Sequence, residues 1–144
     1  MKTCGNIYIL SDEKGLVITN EGVKIVVDIA IDKVQVNEID LLIICGGNKE
    51  KIKSMSNLKK LIIECKRKSK IIGGICAGKD IVTEALNIEN TLDTIQTIEN
   101  SIVLSPGNKY VDFALAIGKV ANIYKDDADY QETVDYFKLF KNHL

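Results

Sequence analysis

Apolar residues fall into short runs that alternate with longer amphipathic segments along the chain. The runs DLLIIC (40–45) and KIIGGIC (70–76) are almost continuously apolar, and the first stops at Gly46-Gly47. A strand that is buried on both faces, as in a parallel sheet under helices, has this pattern. SIVLS (101–105), which is closed by Pro106-Gly107, is a third such run. These three runs predict the central strands of a mostly parallel sheet.

Helical spacing characterises the segments between and after these runs. Asn57 can cap a helix over 58–69, with apolar residues on one face and lysines on the other. AGKDIVTEAL (77–86) has helix-forming composition, and 110–124 is helical and largely apolar. The tail predicts an additional C-terminal helix over about 127–141, begun by an Asp cap. We expect one stripe of that helix to pack on the core or on a second subunit: Tyr130, Val134, Phe137 and Phe140.

Shorter apolar runs occupy the first third of the chain. NIYIL (6–10) is a β-prone run that ends at a turn-like polar segment. Two β-branched runs follow within 16–31, on either side of Asn20-Glu21-Gly22, and they predict a hairpin or a pair of short strands. Strands that alternate with helices predict an α/β doubly wound fold, and 144 residues suit a single domain, 1–144.

Charge and hydropathy narrow the classes of function. The formal net charge is −1, so no global field attracts nucleic acid or an anionic membrane surface. The apolar runs are far shorter than a membrane span, and the N-terminal MKTCGNIYIL lacks the apolar stretch of a secretory signal. We therefore expect a cytoplasmic protein that binds neither nucleic acid nor membrane.

The cysteines give little indication of a metal site. Cys4, Cys45, Cys65 and Cys76 are widely spaced, and the single histidine, His143, is the penultimate residue. A structural zinc site needs paired ligands at close spacing, so we expect no metal. Cysteines in such a domain are usually small buried hydrophobic residues, which is the expectation for Cys45, with a Cys45–Cys76 disulfide as the alternative.

One interpretation of GGICAGKD (73–80) is a phosphate-binding loop. Such a loop, G-x-x-x-x-G-K-[ST], aims backbone N–H groups at phosphate oxygens, and its final hydroxyl binds magnesium. Gly73, Gly78 and Lys79 fit this motif, but Asp80 puts a carboxylate where the hydroxyl should be. If the segment is not a phosphate-binding loop, Lys79 and Asp80 are residues in the first turn of a helix, and we expect them to face solvent.

The other interpretation is a nucleophile elbow, G-x-nucleophile-x-G, with Cys76 between Gly74 and Gly78. A nucleophile in a sharp strand-to-helix turn leaves little room two positions before and after it, which explains both glycines. Cys76 would lie at a helix N-terminus, where the dipole and free N–H groups favour a thiolate. The N–H of Ala77 would face a developing oxyanion, with a second donor from the Gly46-Gly47 turn. The alternative is a small cysteine that merely fills a tight turn.

Three stretches together make this sequence similar to a known family. EIDLLIICGGNKE, IIGGICAGKDIVTEAL and SIVLSPGNKYVDFALAIG resemble the ThiJ/PfpI family of the class I glutamine amidotransferase-like superfamily, in the family's order and over most of residues 6–122. The resemblance implies a flavodoxin-like three-layer sandwich with Cys76 as the reactive elbow cysteine. It also implies an oxyanion hole formed by the N–H groups of Gly47 and Ala77, and a homodimer. It favours the elbow over the phosphate-binding loop.

The sequence departs from that family in three respects. The family opens with a strand–helix unit that carries an acidic partner of the cysteine, and this chain, which looks truncated there, has no counterpart. Many members have a histidine where this chain has Ala77, and others have one in the segment that corresponds to 87–100, which contains none. Losing a central strand would leave an open sheet edge. We expect NIYIL to shift inward to that place, or a second subunit to cover it.

Three functions follow from the residues and the resemblance. The first is a cysteine-dependent hydrolase, or a glyoxalase- or deglycase-like activity on small carbonyl compounds, with Cys76 as nucleophile and no cofactor. The second is a non-catalytic redox-responsive module in which an oxidant converts Cys76 to a sulfinic acid. The third is an oligomeric stress-protein module that acts through its surface. The elbow favours the first two, whereas the missing acid and histidine favour the last two.

Overall fold

The computed structural model describes residues 5–19, 21–90 and 93–141. Its strands are β1 (Leu10–Ser11), β2 (Gly15–Ile18), β3 (Lys24–Val27), β4 (Ile29–Ala30), β5 (Leu41–Ile44), β6 (Ile71–Ile75), β7 (Gln96–Ile98) and β8 (Ile102–Ser105). Its helices are α1 (Lys49–Lys53), α2 (Ser56–Arg67), α3 (Ala77–Leu86), α4 (Tyr110–Val120) and α5 (Asp127–Phe137). None of the described helices combines the length and the apolar character that crossing a bilayer requires.

A four-stranded sheet in the order β5-β6-β8-β7 forms the centre of the fold. β5, β6 and β8 run parallel, and β7 is antiparallel at one edge. The register places Gly74 between Ile44 and Leu104. Because parallel strands end at the same edge of a sheet, the turns after β5, β6 and β8 lie side by side. Those turns contain Gly46-Gly47, Cys76 and Gly107.

Helices cover both faces of this sheet. On one face, α2 and α3 pack on the strands through a cluster that includes the fully buried Ile62 and Val82. On the other face, Phe113 of α4 packs on Val103. Gly73 lets α4 come close, because a Cβ atom at this position would lie 2.9 Å from Phe113 Cζ. This three-layer arrangement confirms the predicted flavodoxin-like sandwich.

One helix, α2, begins earlier than predicted, and another, α1, was not predicted. α2 begins at Ser56, so Asn57 lies inside the first turn instead of capping it. α1 was not predicted, because its five residues, KEKIK, are too few to establish an apolar periodicity. Asn48 caps α1, and its side-chain oxygen accepts a hydrogen bond from the N–H of Lys51 at 3.1 Å. The segment after the Gly-Gly turn is therefore a short ordered helix.

The C-terminal helix packs beside α4. Asp126 caps α5, which ends at Phe137, short of the expected 141. The Lys119 ammonium lies 3.8 Å from the centroid of the Tyr130 ring, which joins α4 to α5. Of the two alternatives expected for the stripe of Tyr130, Val134, Phe137 and Phe140, packing on the core does not hold for Phe137 and Phe140, which are 55% and 84% exposed. Packing of these two rings on a second subunit stays a prediction.

The N-terminal strands form two small sheets outside the central one. β1 pairs in parallel with β4, and β2 and β3 form the predicted hairpin, although Asn20 lies outside the described residues. The N–H of Asp28 donates to the carbonyl of Ile9 at 2.9 Å, which ties the NIYIL run to β4. The side chains of residues 7–9 are exposed. The prediction that NIYIL shifts into the central sheet is therefore wrong.

Candidate active site

Cys76 is the single residue between the end of β6 and the start of α3. Its backbone has φ 56° and ψ −125°, a conformation that residues other than glycine rarely adopt. Its N–H donates to the carbonyl of Ser105 in β8 at 3.0 Å, and its own carbonyl accepts from the N–H of Lys79 at 3.1 Å. Hydrogen bonds to the sheet and to the helix thus hold the turn in this conformation. The Cys76 side chain is exposed.

Two glycines allow α3 to start close to the sheet. A Cβ atom at Gly78 would lie 2.0 Å from the carbonyl oxygen of Ile44, inside the backbone of β5. A Cβ atom at Gly74 would lie 2.9 Å from the Gly78 oxygen and 3.0 Å from a methyl group of Val82. The nearest atom in both cases belongs to the backbone, which cannot move aside as a flexible side chain can. Gly74 and Gly78 therefore have a steric role in forming the elbow.

Two further glycines flank the thiol. A Cβ atom at Gly46 would lie 3.1 Å from the Cys76 sulfur, and one at Gly107 would lie 3.3 Å from it. A larger residue at either position would fill the space around the sulfur. Gly107 was not recognised from the sequence. Its signal was its place just after β8, because β8 is the third strand that ends at this edge.

The N-terminus of α3 and the Gly-Gly turn meet beside Cys76. Ala77 is the first residue of α3, so its N–H has no acceptor within the helix. The Cβ position at Gly46 lies 3.8 Å from the Ala77 nitrogen, and hence the Gly-Gly turn and the helix N-terminus meet at Cys76. Gly47 has φ +153°, a conformation that favours glycine. A helix N-terminus favours a negatively charged oxygen or sulfur. The roles of the Gly47 and Ala77 N–H groups as an oxyanion hole stay predictions.

The prediction that Lys79 and Asp80 face solvent is wrong. Lys79 is only 5% exposed. Asp80 accepts hydrogen bonds from Lys49 Nζ at 2.7 Å and from Asn90 Nδ2 at 2.8 Å. Burial raises the pKa of Asp80, but the hydrogen bonds from Lys49 and Asn90 outweigh burial and keep this pKa below its usual value. Asp80 is therefore a carboxylate at neutral pH and links α3 to α1, the helix that was not predicted.

The other thiols differ from Cys76 in their surroundings. Cys65 is fully buried, and burial raises its pKa to about 11, so it is a neutral thiol at physiological pH. Cys45 is exposed, so the expectation of a buried structural role is wrong, because β5 ends at Ile44 and Cys45 already belongs to the turn after it. Cys45, Cys65 and Cys76 are all free thiols in the structure. Cys4 and His143 lie outside the described residues.

No metal-binding cluster accompanies these thiols in the described part of the chain. Within residues 5–19, 21–90 and 93–141, no group of three or more His, Cys, Asp and Glu side chains is arranged to hold an ion.

Comparison with known proteins identifies the family. A family model described as the DJ-1/PfpI family matches residues 4–122. A ThiJ/PfpI domain protein from Brachyspira murdochii has a similar structure (TM-score 0.68, 18% identity, 82% of this chain and 80% of that chain). A DJ-1 superfamily protein from Agrobacterium tumefaciens gives a TM-score of 0.73 (16% identity, 93% and 83%). DJ-1beta from Drosophila melanogaster gives 0.66 (15% identity, 90% and 78%).

The structural likeness, at these low identities, shows the fold alone. No curated protein sequence matches the chain significantly. The family model nevertheless spans most of the chain, including the Gly-Gly turn, the elbow at Cys76 and the turn after β8. The resemblance inferred from those three stretches is thereby confirmed, and the chain belongs to the DJ-1/PfpI family.

Proposed function

We propose that the protein uses Cys76 as a nucleophile toward small reactive carbonyl compounds. The observation that carries this proposal is an exposed thiol on a strained strand-to-helix turn, with glycines on both sides of the sulfur and a helix N-terminus beside it. Family membership supports a protein of this kind. It does not specify a hydrolase or a deglycase, and the chemistry of the site supports the more specific activity.

The first chemical step needs only the thiol and hydrogen-bond donors for the oxyanion. The Cys76 thiolate attacks an aldehyde carbon, a C–S bond forms, and the π electrons of the carbonyl move onto its oxygen. The N–H groups of Gly47 and Ala77 would stabilise that oxyanion until a solvent proton gives the hemithioacetal. Because no group leaves, the step requires no general acid such as histidine. This suits a sequence in which Ala77 follows the cysteine and His143 is the only histidine.

An α-ketoaldehyde such as methylglyoxal allows a complete cycle without an oxidant. In the hemithioacetal, the hydroxyl group gives its proton to solvent and its carbon becomes the thioester carbonyl. The hydrogen on that carbon moves with its electron pair to the neighbouring carbonyl carbon, whose oxygen takes a proton from solvent, and the product is a thioester of a 2-hydroxy acid. Water then hydrolyses the thioester, releases the acid and restores the thiol. One water is consumed and there is no net redox change.

A comparison of two cysteine variants tests this proposal. We expect the wild-type protein to form 2-hydroxy acid from methylglyoxal, and Cys76→Ala to be slower by at least about a hundredfold, because it lacks the nucleophile. Cys45→Ala is the matched control, since it removes the other exposed thiol among the described residues, and should change the rate by less than about twofold. The acid product, rather than loss of aldehyde, is measured, because any thiol adds reversibly to aldehydes. Full turnover by Cys76→Ala would refute the proposal.

A redox-responsive role is the second candidate. The contrast between the exposed Cys76 and the buried Cys65, whose pKa burial raises to about 11, favours it. A thiolate attacks one peroxide oxygen and releases hydroxide, which leaves a sulfenic acid, and a second peroxide oxidises that to a sulfinic acid. Mass spectrometry after mild peroxide treatment should find two added oxygen atoms on Cys76 first. Oxidation of Cys65 or Cys45 ahead of Cys76 would exclude this role.

We also propose that the protein is a homodimer, as the family resemblance suggests. The apolar side chains of the β2–β3 hairpin support this proposal, since Leu16, Ile18 and Val26 are 58%, 65% and 66% exposed. An isolated two-stranded hairpin is only marginally stable in water, and exposed apolar patches are typical of contacts between proteins. A second copy that covers the hairpin would stabilise it.

A further inference from the structure

We propose that two ion pairs between α1 and α3 hold the Gly46-Gly47 turn in place beside Cys76, which makes Lys49 and Asp80 positioning residues for the site. We call the two pairs, Lys49–Asp80 and Lys53–Glu84, the α1–α3 clamp. The inference rests on the proposed chemistry of Cys76, because it assigns to the clamp the task of placing a main-chain donor next to that thiol.

The clamp has two parallel contacts. Lys49 Nζ lies 2.7 Å from Asp80 Oδ2, and Lys53 Nζ lies 2.7 Å from Glu84 Oε1. The two lysines are four residues apart on α1, and the two carboxylates are four residues apart on α3. Residues with this spacing lie one above the other on a helix face, so the two pairs are stacked about one turn apart.

Both helices that the clamp joins begin close in sequence to the site. α1 begins two residues after Gly47, and α3 begins one residue after Cys76. The clamp therefore joins the two segments whose backbones would supply the oxyanion donors. The sheet side of the elbow is already fixed, because Gly78 fits against the backbone of β5. The Gly-Gly turn depends on α1 for its position.

α1 needs contacts of this kind because it has only five residues. A helix of that length does not form by itself in water, so tertiary contacts determine where it lies. Ile52 packs against the main core cluster, and its Cδ1 lies 3.4 Å from the Cβ position at Gly47. Ile52 therefore links the position of α1 to that of the turn. The clamp adds a second anchor on the side that faces α3.

Lys49–Asp80 is the more constrained of the two pairs. The Asp80 side chain is 26% exposed, against 49% for Glu84, and Asp80 also accepts a hydrogen bond from Asn90. Partly exposed ion pairs contribute little to stability. Their larger effect here is on geometry, because a displacement of a catalytic group by about 1 Å can cost a large factor in rate. Loss of the clamp should therefore reduce the reactivity of Cys76 more than it reduces stability.

The rate of Cys76 alkylation by iodoacetamide tests the clamp without any substrate. Site-specific mass spectrometry follows Cys76 in wild type, Lys49→Gln, Asp80→Asn and the double variant. We expect both single variants to react roughly threefold to tenfold more slowly. The double variant should be no slower than either single variant, because either change alone breaks the pair.

A simple effect of charge predicts a different result. Removing the lysine would disfavour a nearby thiolate and slow alkylation, whereas removing the carboxylate would favour the thiolate and speed it. The two changes would then cancel in the double variant. Alkylation of Asp80→Asn at the wild-type rate or faster would therefore overturn the proposal.

Two controls separate positioning from stability. Glu64→Gln breaks the Glu64–Arg67 ion pair on the surface of α2 and should leave the rate of Cys76 alkylation within about 1.5-fold of wild type. Thermal unfolding midpoints are measured for every variant. A lower midpoint for Asp80→Asn with unchanged alkylation would mean that the pair only stabilises the fold, which contradicts the proposal. Full carbonyl turnover by Cys76→Ala would refute the proposed activity and leave the alkylation result unaffected, so the two failures are distinguishable.

Discussion

At the scale of single residues, four glycines around Cys76 let three backbone segments meet at one sulfur atom. Gly74 and Gly78 admit α3 to the sheet, and Gly46 and Gly107 leave room beside the thiol. The Cys76 backbone conformation itself costs roughly 1–3 kcal/mol, and the hydrogen bonds to Ser105 and Lys79 oppose that cost. The absence of side chains is thus as important for the site as the thiol.

Gly78→Ala should be strongly destabilising. The added methyl carbon would overlap the Ile44 carbonyl oxygen, only 2.0 Å away, so we expect a loss of about 2 kcal/mol or more in the free energy of unfolding. At an unhindered helix position the same change would stabilise the protein by up to about 1 kcal/mol, so the sign of the effect is diagnostic. Urea unfolding of the purified variant measures this quantity.

Gly5→Ala provides the control for that prediction, because a Cβ atom there would have no neighbour within 4 Å. We expect its free energy of unfolding to lie within about 0.5 kcal/mol of wild type. If Gly78→Ala were as stable as Gly5→Ala, the close contact between α3 and β5 described above would be incorrect.

At the scale of elements, the ion pair between α1 and α3 should give stability a defined dependence on pH. The pKa of Asp80 is lowered in the folded protein, so its contribution is present above the unfolded value, near 3.9, and is lost as the pH falls through the folded value. The hydrogen bond to Asp80 raises the pKa of Lys49, so its contribution is lost only when the pH rises above about 10.4. The pair is therefore fully ionised from about pH 5 to about pH 9.

The difference in unfolding free energy between wild type and Asp80→Asn isolates the contribution of Asp80 from the contributions of the other carboxylates. We expect the difference to be constant from about pH 5 to about pH 9 and to decline as the pH falls below the unfolded pKa, near 3.9, and through the lower folded pKa of Asp80. Urea unfolding of both proteins at a series of pH values measures it. A difference that shows no decline at any pH below about 3.9 at which the proteins still fold would show that Asp80 acts through something other than its charge.

At the scale of the whole molecule, the exposed hairpin predicts self-association. Sedimentation velocity at micromolar concentration should find a dimer for wild type. Val26→Asp should shift the protein to a monomer, because a charge on the 66% exposed Val26 would be buried by the partner. Ile63→Asp is the matched control: Ile63 is 45% exposed on α2 instead of on the hairpin, and its replacement should leave the dimer intact. A monomeric wild type, or equal dissociation of both variants, would contradict the prediction.

Local sequence was sufficient to predict where the central strands and the elbow lie in the chain. The buried strands are continuous apolar runs, because both of their faces are covered, and that pattern does not depend on which strands are neighbours. α3 occupies the predicted residues 77–86, because the glycine spacing around Cys76 locates the turn before it. The family resemblance followed from the same stretches. The sequence by itself thus determined the layers of the fold and the turn that holds the cysteine.

Only the tertiary structure decided how that turn is surrounded. Gly107 comes beside the sulfur because β8 ends next to β6, and Asp80 meets Lys49 because α1 packs on α3. The place of Gly107 just after β8 indicates the edge of the sheet where it lies but not its contact with Cys76, and the Lys49–Asp80 pair has no local signal, since in each case the residues are about thirty positions apart. For the same reason the exposure of Lys79 and the place of NIYIL in the central sheet were predicted wrongly. Periodicity shows which side of a helix or strand is apolar. The packing of elements that are distant in the sequence determines which polar residues of different elements come into contact.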